Sequence, residues 1–374
     1  MVIFGTRPEA VKLAPVVHAL KNDGGFRTVI LATAQQRGML DQVLDIFRIE
    51  PDYDLNIMTG DQRLADVAGK SLRGVDEILM KERPDIALIQ GDTTTVFASA
   101  LACYYNKIPI GHVEAGLRTF DKYSPFPEEA NRRIATVLAD LHFAPTEWAR
   151  NNLLLEGVPE EGIHVTGNTI IDALMGMPAE SIHFERKHPP ISEFIRSVGK
   201  MILVTAHRRE NFGQPFKEMC TAIRELADRN PDTGIIYPVH PNPNIRGTAG
   251  HIMGRHPRIL LVEPLDYLTF ISLMRYSYLI LTDSGGVQEE APSFRKPVLI
   301  MRENTERPEG INAGVSKLVG TKKEDIISGV TRLLRSEEEY DKMAKGTNPF
   351  GDGKASERIT GIIHGFMGSR VRAC

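Results

Sequence analysis

The sequence predicts an α/β protein with two doubly wound parallel sheets, and three observations indicate this fold class. First, short runs rich in β-branched residues recur along the 374 residues and alternate with stretches of helical periodicity. Second, runs such as ILVT, IIYPV and YLILT are apolar on both faces, as parallel strands covered by helices are. Third, polar residues cluster directly after these runs, where open α/β sheets bind ligands.

The predicted strands fall into two similar halves of the chain. In the first half they are Val2–Phe4, Thr28–Thr33, Ile86–Gln90, Pro109–Val113, Leu141–Ala144 and His164–Thr166. In the second half they are Met201–Thr205, Gly234–Val239, Ile259–Val262, Tyr278–Thr282, Pro297–Met301 and Lys317–Val319.

The division between the halves is predicted between residues 167 and 198, where Met-Pro and His-Pro-Pro clusters replace the periodic pattern. Helical spacing of isoleucines in the tail Ser356–Phe366 predicts a last helix that returns to the first domain. We therefore expect a first domain of residues 1–167 joined by a helix at 353–374, and a second domain of residues 168–352.

Composition and charge exclude several kinds of partner. Hydrophobic residues make up 42% of the chain and charged residues 25%, as in ordinary globular proteins. The net charge of −3 supplies no basic field, so nucleic acid is not expected as a partner. We expect neither a membrane span nor a signal peptide, because no sufficiently long apolar run occurs. Three scattered cysteines fit the reducing cytoplasm and predict no disulfide framework.

Missing motifs exclude further function classes. No GxGxxG follows a strand, so a bound NAD is not expected. The segment Ala68–Ser71 resembles the end of a Walker A motif, but Leu64 occupies the position of its first glycine. The chain has neither HExxH nor GxSxG, and its histidine pairs lack metal-ligand spacing. We therefore expect no cofactor and no metal.

Polar clusters follow seven predicted strands, which favours one site between the two domains over unrelated turns. The first cluster, GTRPE, has the features of a helix start: Thr6 can cap, Pro8 suits the first turn, and Glu9 favours the positive helix end. Arg7, together with Lys12 one turn further on, would form a cationic clamp on a diphosphate. The alternative is a plain helix cap with solvated charges.

The segment DSGGVQEE is typical of a phosphate site at a helix N-terminus. Gly285 and Gly286 let backbone N–H groups approach an anion, and Ser284 adds a hydroxyl donor. Glu290 lies further inside that helix and could accept hydrogen bonds from both hydroxyls of a ribose. The alternative is a simple left-handed turn.

Four residues are candidates for acid–base chemistry at neutral pH: Asp92, Glu114, Glu128 and His207. Carboxylates and an imidazole held close together can differ in pKa, as proton transfer requires. Structural alternatives stay open for three of them. Asp92 could cap the helix that begins near Thr93. Glu128 could be an ordinary first-turn glutamate, and His207 could be a core histidine.

The chain resembles the non-hydrolysing UDP-N-acetylglucosamine 2-epimerases in an ordered set of segments that spans nearly its whole length: GTRPEAVKLAP, GDTTT, HVEAGLRT, SPFPEEANRR, TAHRREN, PVHPNP and LTDSGGVQEEAPS. The resemblance implies the GT-B fold, with two Rossmann-like domains and the active site in the cleft between them. It implies conversion of UDP-GlcNAc to UDP-ManNAc by anti elimination of UDP to 2-acetamidoglucal, followed by re-addition. It also implies a cytoplasmic homodimer that needs no cofactor and serves cell-surface polysaccharide biosynthesis.

The same resemblance implies roles for individual residues. The family's catalytic acids and catalytic histidine are matched by Asp92, Glu114, Glu128 and His207. Contacts to the diphosphate, the sugar and the nucleotide are matched by Arg7, Lys12, Arg132, Phe270, Ser284, Gly285, Gly286, Glu290 and Arg307. A second, activating UDP-GlcNAc site is matched by Gln35, Glu129, Arg208 and His240. Gly38 departs from that pattern, since members with this site carry a second glutamine there.

Three alternative functions stay open. A hydrolysing 2-epimerase would release N-acetylmannosamine and UDP, but that group begins Gly-Thr-Arg-Ala-Asp where this chain has Gly-Thr-Arg-Pro-Glu. A GT-B glycosyltransferase would need a separate acceptor, and its first domain would not be expected to carry Asp92, Glu114 and Glu128. A non-catalytic UDP-sugar-binding protein would gain little from several buried carboxylates near a diphosphate.

Overall fold

Two compact units make up the chain in a computed structural model that describes residues 1–34, 37–58, 62–177, 188–208 and 211–373. Unit 1 comprises Met1–Gly176 and Phe350–Cys374. Unit 2 comprises Met177–Pro349. Each unit contains its own parallel sheet and its own hydrophobic core.

Unit 1 is built on parallel strands that follow one another along the chain. The strands are β1 Val2–Phe4, β2 Ile30–Ala32, β3 Tyr53–Asp54, β4 Ala87–Gln90, β5 Ile110–Val113, β6 Leu141–Ala144 and β7 Ile163–Val165. Among the described residues they form a seven-stranded sheet in the order β3-β2-β1-β4-β5-β6-β7. The strand order reverses between β1 and β4, which is the switch point beside which doubly wound sheets bind ligands.

Helices connect these strands and bury both faces of the sheet. They are α1 Arg7–Asp23, α2 Arg37–Phe47, α3 Leu64–Glu82, α4 Thr94–Tyr105, α5 Glu128–Leu138, α6 Glu147–Leu155 and α7 Thr169–Gly176. All residues of β1, β4 and β5 are buried, as is usual for parallel strands covered by helices on both faces. The core between sheet and helices includes Ile3, Leu79, Ile89 and Ile110. Each such side chain contributes about 1.5–3 kcal/mol when fully buried.

Unit 2 repeats this architecture. Its strands are β8 Lys200–Thr205, β9 Thr233–Pro238, β10 Ile259–Val262, β11 Leu279–Thr282, β12 Val298–Ile300 and β13 Ser316–Leu318. In the part of unit 2 that is described, they form a six-stranded parallel sheet in the order β10-β9-β8-β11-β12-β13. Its helices are α8 Pro189–Arg196, α9 Gln214–Arg229, α10 Pro243–Met253, α11 Tyr267–Tyr276, α12 Gly285–Glu290, α13 Pro308–Asn312, α14 Lys323–Arg335 and α15 Glu337–Ala344.

The last helix, α16 Ala355–Ala373, packs on α1 and α7 of unit 1. Its start is held by Asp172, whose carboxylate accepts hydrogen bonds from the backbone N–H groups of Ala355 at 3.2 Å and Ser356 at 2.7 Å. Ile359 and Ile363 are buried, so the isoleucine spacing of the tail corresponds to a packed helical face. No helix in the described part of the chain is long and apolar enough to cross a membrane.

The predicted fold class of two doubly wound parallel sheets is confirmed. Every predicted strand is present, with ends that differ from the prediction by at most two residues. The sequence analysis missed one strand, β3, which has only the two residues Tyr53 and Asp54. Because β3 is a short edge strand and Asp54 is exposed, it lacks the apolar run that marks the others.

Candidate active site

A buried glutamate holds the turn between β1 and α1. Glu9 Oε2 accepts a hydrogen bond from the Gly5 N–H at 2.7 Å, and Glu9 Oε1 accepts one from the Thr6 hydroxyl at 2.7 Å. Thr6 stands at the N-cap but makes no capping bond with its side chain, so the prediction that it caps α1 was wrong. Burial raises the pKa of Glu9 to about 7, although hydrogen bonds from Thr6, Thr93 and Gly5 lower it.

Gly5 lies too close to two threonine hydroxyls to carry a side chain. A Cβ there would stand 2.2 Å from Thr33 Oγ1 and 2.3 Å from Thr95 Oγ1, and these two hydroxyls are 3.0 Å apart. We expect Gly5→Ala to lower the free energy of unfolding by about 1–3 kcal/mol, as overpacking does. Urea denaturation measures this change. The control is Gly361→Ala, since a Cβ there meets nothing within 4 Å; equal stability of the two variants would contradict the prediction.

Glu114 follows β5 directly and is held by two residues from neighbouring elements. Its Oε1 forms an ion pair with Lys12 Nζ on α1, and its Oε2 accepts a hydrogen bond from Gln90 Nε2 at the end of β4. The side chains of Glu114 and Lys12 are 7% and 13% exposed. The backbone of Glu114 is left-handed, with φ of 63°, a strained conformation that is frequent at functional sites. Arg7 is the first residue of α1.

Asp92 follows β4 and is paired with Arg132. Its Oδ2 accepts hydrogen bonds from Nη2 and Nε of Arg132 on α5, and the Nε bond is 3.1 Å long. Arg132 Nη1 also donates to Glu129 Oε2 at 3.1 Å. The alternative in which Asp92 caps α4 does not hold, because Thr93 is the cap and its hydroxyl accepts from the Val96 N–H at 3.3 Å.

The adjacent glutamates at the start of α5 have different environments. Glu128 Oε2 is buried and has no hydrogen-bond partner among the described residues. A buried carboxylate oxygen left unpaired is costly, so it is typical of a functional group. Glu129 is fully buried, and its carboxylate accepts from the backbone N–H groups of Thr119 at 3.1 Å and Phe120 at 3.2 Å. Glu129 therefore fastens the loop before α5.

Two residues that the sequence analysis did not assign hold the acids in place. Gln90 binds Glu114, as described above. His112 Nε2 donates to the Gly91 carbonyl at 2.8 Å and so fixes the turn that carries Asp92. Burial lowers the pKa of His112 to about 4, which keeps its imidazole neutral at pH 7. The sequence feature that could have identified His112 is its position as a polar residue inside an otherwise apolar strand.

In unit 2, Asp283 joins the end of β11 to the loop after β8. The residue is fully buried, and its Oδ2 accepts from the backbone N–H groups of His207 and Arg208, each at 2.8 Å. Asn211 Nδ2 donates to the same oxygen at 3.3 Å. The sequence analysis gave Asp283 no role of its own. Its position shortly before the two glycines was the sequence feature that could have pointed to such a role.

His207 is presented at the surface of unit 2. Its side chain is 42% exposed, so the alternative of a core histidine does not hold. Its ring stacks on that of His240, with centroids 5.8 Å apart and planes at 16°. Partial burial of the ring is the main cause of the lowered pKa of His207; Asp283 opposes this shift, whereas Arg208 and His240 add to it.

Gly285 opens α12 against the guanidinium of Arg307. A Cβ on Gly285 would lie 2.5 Å from Arg307 Nη1, so a residue without a side chain is required for this approach. Arg307 is oriented by two carboxylates, since its Nε donates to Glu289 and its Nη1 to Glu306, both at 2.6 Å. The cation is therefore fixed at the first residue of α12.

Glu306 forms ion pairs with three arginines. Arg302 Nη1 lies 2.8 Å from one of its oxygens, and Arg208 Nη2 lies 3.5 Å from the other, which also binds Arg307. Burial would raise the pKa of Glu306, but Arg307, Arg302 and Arg208 together lower it to about 2. Glu306 therefore stays ionised at pH 7 and pairs with the three guanidinium groups.

The predicted nucleotide-binding residues after β11 come together in the structure. Ser284 is the N-cap of α12, yet its hydroxyl makes no capping bond. A Cβ on Gly286 would stand 3.8 Å from Glu290 Oε1, so the carboxylate lies over this glycine. Phe270 is half-buried on α11. Gln35 lies outside the described residues.

The described residues contain no group of three or more His, Cys, Asp or Glu side chains that could hold a metal ion. Each unit carries its own set of candidate site residues. The set in unit 1 is Arg7, Lys12, Asp92, Glu114, Glu128 and Arg132. The set in unit 2 is His207, Arg208, His240, Ser284, Gly285, Gly286, Glu290 and Arg307.

Comparison with known proteins gives consistent matches over nearly the whole chain. The sequence model of the family described as UDP-N-acetylglucosamine 2-epimerase matches residues 18–364. A Salmonella typhimurium protein named UDP-N-acetylglucosamine 2-epimerase is 52% identical over 369 residues, which cover 98% of each chain. Among solved structures, the S. aureus MnaA–UDP complex has 47% identity and a TM-score of 0.90, and the match covers 98% of this chain and 96% of that one. The Neisseria meningitidis UDP-GlcNAc 2-epimerase bound to UDP-GlcNAc has 46% identity and a TM-score of 0.87, with 97% and 98% covered.

Proposed function

Because this chain belongs to the UDP-N-acetylglucosamine 2-epimerase family, as the resemblance of its motifs predicted, we propose that it interconverts UDP-GlcNAc and UDP-ManNAc without hydrolysis. A base removes the proton from C2 while the bond between C1 and the UDP oxygen breaks, which leaves 2-acetamidoglucal and UDP. UDP then adds back to C1, and a proton is delivered to the opposite face of C2.

The observation that carries this proposal is the grouping of carboxylates in unit 1. Inversion at C2 needs a proton acceptor on one face of the sugar and a proton donor on the other. Asp92 and Glu114 follow adjacent strands, and each is bound to a cation, Arg132 and Lys12 respectively. Glu128 adds a buried oxygen without a described partner. Three carboxylates in three environments suit acid and base roles at one carbon.

The group after β11 in unit 2 supports the second part of the proposal, the binding and departure of UDP. Gly285 and Gly286 open a helix whose N-terminal N–H groups favour an anion. Arg307 is fixed beside them, and Glu290 lies over Gly286. His207, held through Asp283 to the same strand end, would assist the departure and return of UDP.

Proton NMR of the purified protein with UDP-GlcNAc in D₂O tests the proposed function. We expect deuterium at C2 and a mixture of intact UDP-GlcNAc and UDP-ManNAc. If the products are free N-acetylmannosamine and UDP, the protein is instead a hydrolysing 2-epimerase. Absence of any exchange would contradict both epimerase assignments.

Ser284→Ala is expected to weaken UDP binding by about 1 kcal/mol, the contribution of one hydrogen bond. The hydroxyl of Ser284 is not used to cap α12, so its loss should affect the ligand rather than the helix. Titration calorimetry with UDP measures the change. Ser336→Ala is the matched control, because the Ser336 hydroxyl caps α15 by accepting from the Glu339 N–H at 3.2 Å. Equal UDP affinity in both variants would contradict the role of Ser284.

A homodimer is a further part of the proposal, and it rests on the family resemblance. Light scattering coupled to gel filtration measures the mass of the particle directly. A mass near twice the 41.6 kDa of the chain is expected, and a monomer that is fully active would contradict it.

A further inference from the structure

A fully buried carboxylate lies behind His207, and only one of its oxygens is engaged in hydrogen bonds. Asp283 Oδ2 accepts from the backbone N–H groups of His207 and Arg208 and from the side chain of Asn211. Asp283 Oδ1 is equally buried but has no hydrogen-bond partner among the residues that the structure describes. A buried carboxylate oxygen in this state is costly, so a partner for it is expected at some stage of the reaction.

The geometry identifies that partner as the ring of His207. Asp283 Oδ1 lies 3.6 Å from His207 Nδ1, which is within ion-pair range but longer than a hydrogen bond. Hydrogen bonds of catalytic groups are often long before substrate binds and shorten in the complex. With Nδ1 directed at the carboxylate, Nε2 of the half-exposed ring is the nitrogen left for a substrate.

We propose that Asp283 is a positioning residue for His207, which fixes the Nδ1–H tautomer, leaves Nε2 for the substrate and stabilises the imidazolium when His207 takes up a proton. The inference rests on the proposed function, in which His207 assists the departure of UDP. The same carboxylate holds the loop through Oδ2, so loop position and ring orientation depend on one residue.

The other groups around His207 oppose a positive charge on its ring. His240 stacks against it, and Arg208 is the next residue, although Arg208 is itself paired with Glu306 at 3.5 Å. Partial burial of the ring acts in the same direction. The carboxylate of Asp283 lies next to Nδ1 and favours the positive charge on the ring that these groups oppose.

Asp283→Asn tests the inference with little change of shape. The amide oxygen can replace Oδ2 as the acceptor for the two backbone N–H groups, which directs the amide NH₂ at His207 Nδ1. A donor then faces Nδ1 where an acceptor stood, so the ring should carry its proton on Nε2. We therefore expect the loop after β8 to keep its position while the tautomer of His207 is reversed.

Two readouts follow this reversal. Nitrogen NMR of histidine-labelled protein, with the His207 signal assigned by its loss in His207→Ala, reports the tautomer and the pKa of the ring. We expect the Nδ1–H form in the parent protein, and in Asp283→Asn the Nε2–H form with a lower pKa. Steady-state kinetics should show a fall in kcat of about 100-fold or more with KM changed by less than about threefold.

Asp172→Asn is the matched control. Asp172 is also a buried aspartate that accepts from two backbone N–H groups, those of Ala355 and Ser356, but it lies in unit 1. Its replacement should leave the tautomer of His207 and kcat unchanged, whatever it costs in stability. A similar loss of kcat in this control would assign the effect to general destabilisation and overturn the inference.

The outcomes separate the inference from the proposed function. Reversal of the tautomer together with loss of kcat supports the positioning role. An unchanged tautomer in Asp283→Asn overturns the inference, whatever the reaction of the enzyme. Reversal with unchanged kcat removes His207 from the reaction and overturns its proposed role and that of Asp283 together. If the parent protein lacks epimerase activity, the proposed function fails, and the NMR result still decides whether Asp283 fixes the ring.

Discussion

Glu114→Gln is expected to lower kcat for epimerisation by about 10²–10⁴-fold, the range of general acid–base catalysis. The amide keeps the shape of the carboxylate and can still bind Gln90, but it cannot accept or deliver a proton. Its loss of charge also removes the ion pair with Lys12, which is only 13% exposed. Deuterium incorporation at C2 in D₂O, followed by NMR, measures the step itself and should fall with kcat.

Glu156→Gln is the matched control for this experiment. Glu156 is a carboxylate of the same unit, paired with the buried Arg118 at 2.6 Å, and nothing places it at the ends of β4 and β5. Circular dichroism and thermal unfolding of both variants separate loss of chemistry from loss of fold. A Glu114→Gln protein that retains exchange at the rate of Glu156→Gln would exclude Glu114 from the mechanism.

His207→Ala is expected to lower kcat by about 10²–10⁴-fold while the fold is retained. The fold should persist because the backbone N–H of His207, and not its half-exposed ring, makes the 2.8 Å bond to Asp283. UDP affinity should change much less than kcat, since the group after β11 is intact. Initial rates with UDP-GlcNAc and calorimetry with UDP measure the two quantities.

His256→Ala serves as the control for His207→Ala. His256 also pairs with an aspartate, Asp228, at 2.9 Å in the same unit, but it belongs to neither proposed set of site residues. Its replacement should leave kcat unchanged. Equal activity of the two variants would show that the ring of His207 takes no part in the reaction.

Several properties of this protein could be predicted from short segments of sequence. Runs such as ILVT and YLILT are apolar on both faces, and a strand with this pattern is stable only between two layers of helices. The polar clusters that follow the runs indicated the ends of the strands. The ordered motifs indicated the family, which the comparisons confirm.

Other properties depended on which elements are neighbours. The pairing of Glu114 with Gln90 requires β4 beside β5, and that with Lys12 requires α1 near their ends. The pair of Asp92 and Arg132 joins residues 40 positions apart. No local pattern specifies such contacts, because they form only after the sheet order is set.

The prediction that Thr6 caps α1 was wrong for a local reason. A threonine before a helix ordinarily accepts a backbone N–H of the first turn, but here the Thr6 hydroxyl donates to the buried Glu9 carboxylate and makes no capping bond. The role of Asp283 could not be predicted from the segment DSGG. That role depends on the position of the loop after β8 at the end of β11.

By itself, the sequence determined the fold class, the described strands other than β3 and the family of this protein, because periodicity and motif order are local properties of the chain. Only the tertiary structure decided which cation faces each carboxylate and which aspartate faces His207. The physical reason is that ion pairs and buried hydrogen bonds depend on distances of a few ångströms between residues far apart in sequence. Such distances are set when the strands are ordered in their sheet.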